Sequence, residues 1–276
     1  MMLVKCLCEG NVWEPFLDRQ EGWYRGTRIA GLTSNSRRCA LYKCRGCGLI
    51  HTLVADAKYD AAYYRNLART KNGIDIEAIT LTRANQMRRL NRGTRLLDVG
   101  AGCGHFAIAF AALGYQVDAL DCQAAIDSIA SRNKWWHIGL CTDWDKLIAT
   151  GVRYDIVHLS HVLEHVADPT DLLDKCASVL KPNGVLWMQV PYERLLYRAY
   201  KLLGIDNDPG GYHLTLWNTE LLRRALSKRY IVEAVFHDAP AAIARMTQCP
   251  WRARAFTRAS CFVGYAPVIT ALARVK

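Results

Sequence analysis

The sequence lacks the long apolar segments expected of a secreted or membrane-spanning chain. The apolar run at residues 1–4 is too short for a signal peptide before Lys5 introduces a charge. The uncharged segment 259–273, about 15 residues long with Pro267 inside it, falls short of the roughly 20 residues that span a bilayer. Basic residues flank this segment, so a peripheral membrane contact is one interpretation, but we favour a core-packed element. We therefore expect a cytoplasmic protein.

Internal repeats, low-complexity tracts and signatures of RNA-binding modules are also missing, which argues against repeat proteins and dedicated RNA-binding folds. Acidic residues are outnumbered, with 25 Asp and Glu against 36 Lys and Arg, giving a net charge of +11. Such a surplus attracts anionic partners. We expect an anionic glycan or lipid-linked sugar as partner, ahead of RNA. With 276 residues and 51% apolar content, the chain can bury a full hydrophobic core.

Cysteine, by contrast, is abundant. The eleven cysteines are odd in number and come without an export signal, so they are better explained as thiols or metal ligands than as disulfides. Four thiolates from two tight turns can close a tetrahedral Zn²⁺ site, and Gly46 and Gly48 suit the second turn. The candidate ligands are Cys6, Cys8, Cys44 and Cys47, with Cys39 as a spare thiol. Scattered reduced cysteines are the alternative to this zinc-binding unit at residues 1–55.

The most informative stretch is Asp98-Val-Gly-Ala-Gly-Cys-Gly104, which follows the apolar pair Leu96-Leu97 and opens onto a helical pattern. Glycines between a strand and a helix let a ligand approach the backbone, and the helix N-terminus supplies N–H donors. The next predicted strand ends at Asp121, whose carboxylate can accept hydrogen bonds from both ribose hydroxyls of a nucleoside. These residues predict a nucleoside cofactor.

The remaining pattern predicts an α/β fold, a Rossmann-like doubly wound, mostly parallel sheet behind the small Cys-rich, zinc-ribbon-like unit. The predicted strands are 95–99, 115–120, 136–140, 154–159 and 184–190, and the predicted helices are 104–113, 123–132 and 169–180. We expect a helical lid or linker at 56–93, a cofactor-binding core at 94–240 and a basic, apolar C-terminal tail at 241–276. Within the core, the insertion 192–212 is interpreted as an acceptor cover, or alternatively as a solvated basic helix.

The order of these motifs, with Leu163-Glu-His-Val-Ala-Asp-Pro169 and Leu180-Lys-Pro-Asn-Gly184, resembles the class I S-adenosylmethionine-dependent methyltransferases over roughly residues 74–235. The resemblance implies S-adenosylmethionine as cofactor, with its amino-acid half beside Asp98 and the glycines and its ribose at Asp121. It also places Asp143 and Trp144 at the adenine, although an ordinary exposed loop explains them as well. The full set of expected cofactor residues is Asp98, Gly100, Ala101, Gly102, Gly104, His105, Phe106, Asp121, Cys122, Asp143, Trp144 and Ser160.

The N-terminal piece resembles the small zinc-binding domain found in a subset of these methyltransferases that often act on sugars or polysaccharides. The resemblance rests on Cys44-Arg-Gly-Cys-Gly-Leu49 and Tyr59-Asp-Ala-Ala-Tyr-Tyr64, while the one-residue gap between Cys6 and Cys8 departs from the family's knuckle. It implies a structural Zn²⁺ and a saccharide acceptor.

The segment His161-Val-Leu-Glu-His165 also matches the H-x-x-E-H signature of inverted zinc peptidases. That chemistry needs the motif inside a helix, whereas here it directly follows a predicted strand. In the methyltransferase interpretation His165 is a candidate general base for a hydroxyl acceptor. Related ubiquinone-pathway O-methyltransferases carry a similar Glu-x-x-Glu-His run, but His161 replaces the first acid, so Mg²⁺ is not expected.

The candidate catalytic residues are His161, Glu164, His165 and His213. The last lies just before a predicted helix near residues 218–220, where relatives place a histidine facing the acceptor. The alternative is that these side chains only brace or cap their loops. We predict O-methylation of a saccharide hydroxyl. An RNA methyltransferase, N- or C-methylation of another small molecule, and a non-catalytic binding protein are the alternatives.

Overall fold

A computed structural model gives the fold of this chain. The structure describes residues 5–8, 12–18, 23–24, 27–28, 40–52, 76–90, 93–132, 136–192, 213–238 and 268–276. Cys39, the expected acceptor cover from residue 193 onwards and the first part of the expected lid at 56–75 lie outside the described residues.

Thirteen strands and six α-helices make up the described elements. The strands are β1 (Trp13–Asp18), β2 (Trp23–Tyr24), β3 (Thr27–Arg28), β4 (Ala40–Cys44), β5 (Ile50–Thr52), β6 (Arg95–Val99), β7 (Gln116–Leu120), β8 (Ile138–Cys141), β9 (Tyr154–Ser160), β10 (Leu180–Pro191), β11 (Thr215–Leu216), β12 (Tyr230–Asp238) and β13 (Val268–Val275). The helices are α1 (Ile76–Leu90), α2 (His105–Ala112), α3 (Gln123–Arg132), α4 (Trp144–Ala149), α5 (Pro169–Val179) and α6 (Thr219–Ser227), and a 3₁₀ turn spans Leu163–His165.

The central sheet has seven strands in the order β12-β13-β10-β9-β6-β7-β8. Strands β6 to β10 pair in parallel, with β6 between β7 and β9. Consecutive strands run outwards from β6 in both directions, so the sheet reverses its winding beside β6, where α/β folds bind ligands at the carboxyl strand ends. The predicted mostly parallel, Rossmann-like sheet is confirmed.

The seventh strand corrects a predicted boundary. Residues 241–276 were expected to form a tail outside a core that ended at 240, but β13 pairs antiparallel with both β10 and β12. Its first four residues are buried. The reason is that an uncharged, mostly apolar run such as Val268–Ala273 has a lower free energy when it is buried in the sheet than when it is exposed to water. The expectation of a core-packed element therefore holds for residues 268–275.

The N-terminal unit forms a separate four-stranded sheet in the order β1-β4-β5-β11. Its fourth strand comes from a distant part of the chain, because β11 pairs antiparallel with β5 through Thr215 opposite His51 and Leu216 opposite Ile50. The two parts of the chain therefore share a sheet.

Local capping chemistry explains where several helices begin. Asp168 accepts a hydrogen bond from the Asp171 N–H at the start of α5, and Asn218 accepts one from the Leu221 N–H at the start of α6. Asp143 caps α4 in the same way by accepting from the N–H groups of Asp145 and Lys146. Helix α4 was not predicted, because six residues give too little periodicity to read.

The core lies on both faces of the central sheet, where residues of β6, β9 and β10 are fully buried. At one edge the hydroxyl of Tyr230 donates a 2.7 Å hydrogen bond to the carbonyl of Leu173. Burial raises the pKa of Tyr230 above its usual range, so this phenol stays a donor. None of the helices in the described part of the chain combines the length and apolar character needed to cross a bilayer.

We expect Tyr230→Phe to lower the free energy of unfolding by about 1 kcal/mol, since it removes one buried hydrogen bond without leaving a cavity. Urea denaturation followed by circular dichroism measures this change. The neighbouring Ile231→Ala, at a side chain that is 59% exposed, should shift stability by no more than about 0.5 kcal/mol. Equal effects of the two substitutions would contradict the assigned hydrogen bond.

Candidate functional site

The glycine loop between β6 and α2 has the backbone shape that its sequence predicted. Gly100, Gly102 and Gly104 all adopt positive φ, at 68°, 57° and 78°. Side chains at Gly100 and Gly104 would collide with Val162 and Ile129, at 2.3 and 2.9 Å. A Cβ at Gly102 would meet no described atom within 4 Å. The loop is thus tightly packed at both ends and open in the middle, where a ligand can reach the backbone.

Asp121, at the end of the neighbouring strand β7, contacts this loop directly. Its carboxylate accepts hydrogen bonds from the Gly102 N–H at 2.8 Å and from the Cys122 N–H at 2.6 Å. A carboxylate oxygen has two lone pairs, so each can accept a second hydrogen bond. The structure therefore brings together the two predicted parts of the cofactor site, and ribose binding by Asp121 stays a prediction.

Asp98 has a partner that the sequence analysis missed. Its Oδ1 lies 2.7 Å from Nδ1 of His158, and both side chains are buried. The two residues lie opposite each other on β6 and β9. Asp98 Oδ2 and His158 Nε2 have no hydrogen-bond partner among the described residues. A histidine inside the apolar strand Tyr154-Asp-Ile-Val-His-Leu was the available signal, because polar groups in buried strands need partners.

The other expected cofactor residues occupy varied positions. Ala101 in the glycine loop and His105 and Phe106 at the start of α2 are half-buried, and the ring centroids of Phe106 and His158 lie 4.4 Å apart. Cys122 is exposed, and the Ser160 hydroxyl donates to Gln189 at 3.3 Å.

Asp143 and Trp144 follow β8 as expected, but they start α4 instead of forming a loop. Asp143 uses Oδ1 to cap that helix. Contact of either residue with adenine stays a prediction.

Helix α1 is joined to the central sheet by a buried side-chain hydrogen bond. Arg83, which is buried, donates a 2.7 Å hydrogen bond to the side chain of Gln189 on β10. Gln189 in turn donates to Thr270 on β13 at 3.0 Å. This part of the expected lid is therefore fastened to the carboxyl end of the central strands.

Three histidines surround one buried carboxylate. Glu164 Oε1 lies 3.2 Å from His161 Nδ1, 3.9 Å from His165 Nε2 and 4.0 Å from His213 Nε2. The rings of His165 and His213 meet edge to face, with centroids 4.9 Å apart. The structure thus brings together all four candidate catalytic residues. Ligand atoms of Glu164, His165 and His213 lie within 4.8 Å of one another, a set that suits a transition metal better than oxygen-seeking Mg²⁺.

The histidines decide the charge state of Glu164. Full burial would by itself raise the pKa of this carboxyl group. The hydrogen bond from His161 and the charges of the three histidines outweigh burial, so the pKa of Glu164 lies below its usual value. A carboxylate ionised at neutral pH can stabilise positive charge on an adjacent imidazole.

This histidine cluster, defined as His161, Glu164, His165 and His213, borders the glycine loop. Val162 fills the space at Gly100, and the loop has no room for a side chain there. His161 holds a positive φ of 58°, which is uncommon for a residue with a side chain, and its N–H donates to Gln189. The packed backbone therefore places the histidine cluster directly beside the cofactor loop.

The four candidate zinc ligands also converge. Cys6 Sγ lies 3.3, 2.9 and 3.1 Å from the sulfurs of Cys8, Cys44 and Cys47. These separations exceed the roughly 2.05 Å of a disulfide. A Cβ at Gly46 would lie 2.7 Å from Cys8 Sγ, so the turn needs glycine to admit that sulfur.

The ionisation of these thiols is uneven. Burial raises the pKa of Cys6, as do its hydrogen bonds to the other sulfurs. Burial opposes ionisation of Cys44 too, but hydrogen bonds from Cys6 and from the Cys47 and Gly46 backbone lower the pKa of Cys44 to about 7. Four cysteine sulfurs are the ligand set of structural tetrahedral Zn²⁺ sites, and zinc binding by these four residues stays a prediction.

Comparison with known proteins places residues 73–230 in a family described as "Methyltransferase domain". The ubiquinone biosynthesis O-methyltransferase of Parvibaculum lavamentivorans is 28% identical over 149 residues, covering 52% of this chain and 55% of the relative. The protein of the same name from Xanthomonas axonopodis pv. citri is 30% identical over 142 residues, covering 49% and 53%. This chain spans about half the length of the curated relatives it matches.

Solved structures resemble the fold. A chain of the complex between the Haloferax volcanii Trm112 methyltransferase activator and a methyltransferase superposes with a TM-score of 0.53 and 19% identity, covering 78% of this chain and 93% of that one. A methyltransferase structure from Bacillus halodurans gives a TM-score of 0.50 at 18% identity, covering 70% and 97%. At these identities the likeness concerns the fold alone.

We expect Asp121→Ala to weaken S-adenosylmethionine binding at least about tenfold, because a charged hydrogen-bond acceptor is worth roughly 1.5–3 kcal/mol. Isothermal titration calorimetry measures the affinity. Asp127→Ala is the matched control, since Asp127 is exposed on α3 and its carboxylate accepts a hydrogen bond from the side chain of Gln123 on the same helix. Unchanged affinity in Asp121→Ala would contradict the ribose assignment.

Proposed function

Since this chain belongs to the methyltransferase-domain family, we propose that it is an S-adenosylmethionine-dependent methyltransferase that methylates a hydroxyl oxygen with histidine-assisted proton removal. The observation that carries this proposal is the histidine cluster, in which a buried, ionised Glu164 lies among three imidazoles beside the glycine loop. O-methylation also agrees with the names of the two curated relatives.

His165 is the proposed general base. A hydroxyl oxygen becomes a much better nucleophile when a base removes its proton as it attacks the sulfonium methyl group. The proton passes to the His165 imidazole, and Glu164 at 3.9 Å stabilises the imidazolium that forms. His213, whose ring lies 4.9 Å away, orients the acceptor hydroxyl toward His165. His161 already contacts Glu164, and its role is to hold that carboxylate in place.

The proposed acceptor is a saccharide hydroxyl. The net charge of +11 favours an anionic glycan, and the resemblance of the N-terminal unit to that of sugar-modifying methyltransferases points the same way. The curated relatives favour a second candidate, a small-molecule hydroxyl of the kind methylated in quinone biosynthesis. Transfer of a tritiated methyl group to a methyl glycoside, to a catechol, and to fractionated glycan and RNA separates these possibilities.

A structural Zn²⁺ held by Cys6, Cys8, Cys44 and Cys47 is part of the proposal. The convergence of the four sulfurs and the glycine at position 46 support it. Such a metal supplies folding free energy to a small unit and no chemistry to methyl transfer.

We expect His165→Ala to lower kcat by about 10²–10⁴-fold, the usual contribution of a general base, and to remove the acidic limb of the pH–rate profile. The Kd for S-adenosylhomocysteine should stay within about twofold. His137→Ala, at an exposed histidine beyond α3, is the control and should leave kcat unchanged. A His165→Ala enzyme with wild-type kcat on every acceptor that takes label would refute the assigned base.

We expect the purified chain to carry about one equivalent of Zn²⁺, and the double variant Cys44→Ser/Cys47→Ser to carry almost none, because two sulfurs cannot close a tetrahedral site. Mass-spectrometric metal analysis measures the content. Cys122→Ser, at an exposed cysteine, should retain the metal. Less than half an equivalent in the gently purified wild-type chain would count against the site.

A further inference from the structure

We propose that His51, in the N-terminal unit, is a positioning residue that holds His213 in place for methyl transfer. This inference rests on the proposed function, because it gives His213 a role at the acceptor. It makes the N-terminal sheet a working part of the catalytic site.

The first observation is the pairing of β5 with β11. Thr215, two residues after His213, lies opposite His51 in this antiparallel pair. His51 is 4% exposed, with the ring of Trp13 at 5.3 Å and that of Tyr42 at 6.2 Å. These neighbours all belong to the N-terminal sheet, so the imidazole has a fixed orientation.

The second observation is an electrostatic coupling across this junction. The backbone of Leu214, the residue next to His213, acts on the buried His51 imidazole as a hydrogen-bond acceptor and raises its pKa, against the larger lowering by burial. His51 Nδ1 has no hydrogen-bond partner among the described residues, so we assign Nε2 as the donor to the Leu214 carbonyl. Burial lowers the pKa of His51, which favours a neutral imidazole with its proton on Nε2.

The opposite side of the same segment is held by the histidine cluster. The Leu214 N–H donates a 2.7 Å hydrogen bond to the carbonyl of Glu164. The Thr215 hydroxyl donates to the Leu163 carbonyl at 3.4 Å, and the Trp217 indole N–H donates to Thr215 Oγ1 at 2.9 Å. Residues 213–217 are therefore clamped between the 3₁₀ turn of the catalytic core and His51.

The clamp works only if the N-terminal unit is itself fixed, and three further contacts fix it. Lys228 Nζ donates to the Leu7 carbonyl at 2.6 Å, and Arg224 Nη1 donates to the Cys47 carbonyl at 3.2 Å. The Lys5 N–H donates to the Ala167 carbonyl at 2.7 Å, close to the histidine cluster. Both cysteine turns are thus tied to the catalytic core.

Loss of the His51 ring should affect the acceptor site, where His213 lies, and leave the cofactor site unchanged. Removing the His51 ring leaves the Leu214 carbonyl without its donor and opens a cavity beside β11, so His213 can shift relative to Glu164. A displacement of about 1 Å in a catalytic constellation can cost on the order of 10²-fold in rate. Asp121 and the glycine loop have no described contact with His51, so cofactor binding should not change.

The experiment compares His51→Ala, His51→Gln and the control His137→Ala in the full chain with S-adenosylhomocysteine bound. Glutamine can place an amide N–H near the position of Nε2, so it should restore the hydrogen bond. Hydrogen exchange of the peptide covering residues 213–217 reports on the clamp without needing an acceptor. We expect about tenfold faster exchange in His51→Ala, near wild-type exchange in His51→Gln, and no change in the control.

Acceptor kinetics distinguish a positioning role of His51 from a merely structural one. With an acceptor that takes label, kcat/KM for that acceptor should fall about 10- to 100-fold in His51→Ala and recover to within about fivefold in His51→Gln. The Kd for S-adenosylhomocysteine should stay within about twofold in all three variants. Unchanged exchange, unchanged acceptor kinetics, or an equal loss of cofactor affinity in His51→Ala would each overturn the proposal.

Failure of the proposed function gives a different result. In that case His165→Ala and His213→Ala would leave methyl transfer at the wild-type rate, while the exchange measurement still decides whether His51 holds residues 213–217. Faster exchange with wild-type transfer in His51→Ala would refute the positioning role alone.

Discussion

The burial of Glu164 is the constraint on which the catalytic side of this protein depends. An ionised carboxylate loses several kcal/mol of hydration on burial, and it stays ionised only if neighbouring groups supply compensating charge and hydrogen bonds. Here three histidines supply them, and the backbone carbonyl of the same residue accepts from Leu214. Glu164 therefore lies among three histidine side chains through its carboxylate and holds the segment that follows His213 through its backbone carbonyl.

The cofactor loop and the histidine cluster occupy separate positions at the carboxyl ends of the central strands. The glycine loop and Asp121 lie at the ends of β6 and β7, where hydrogen bonds between them shape an open cofactor loop. The histidine cluster follows β9, and Val162, which lies between His161 and Glu164 in the chain, packs against Gly100 of that loop. The packing of the Val162 side chain against Gly100 fixes the distance between the cofactor loop and the histidine cluster.

Much of the fold was predictable because its signals are local. Strand β6 and helix α3 have the predicted bounds, since the apolar run of β6 ends at the glycine loop and the apolar residues of α3 recur at helical spacing. The pairing of His158 with Asp98 and the clamp from His51 were not predictable, because both join residues about 60 to 160 positions apart. Strand β13 was assigned to a tail for the same reason: its apolar run is visible, but its antiparallel insertion between β10 and β12 depends on tertiary packing.

The N-terminal unit shows how a long-range pairing can give a small domain a catalytic consequence. A two-residue strand such as β11 has too few ladder hydrogen bonds to hold a position alone. It gains stability because β5 pairs with it on one side while Glu164 and Leu163 bind it on the other. The cysteine turns are anchored to α6 through Arg224 and Lys228, so the stability of that unit is transmitted to the segment after His213. The placement of His213, a proposed catalytic residue, thus depends on a sheet whose other strands lie more than 150 residues earlier in the chain.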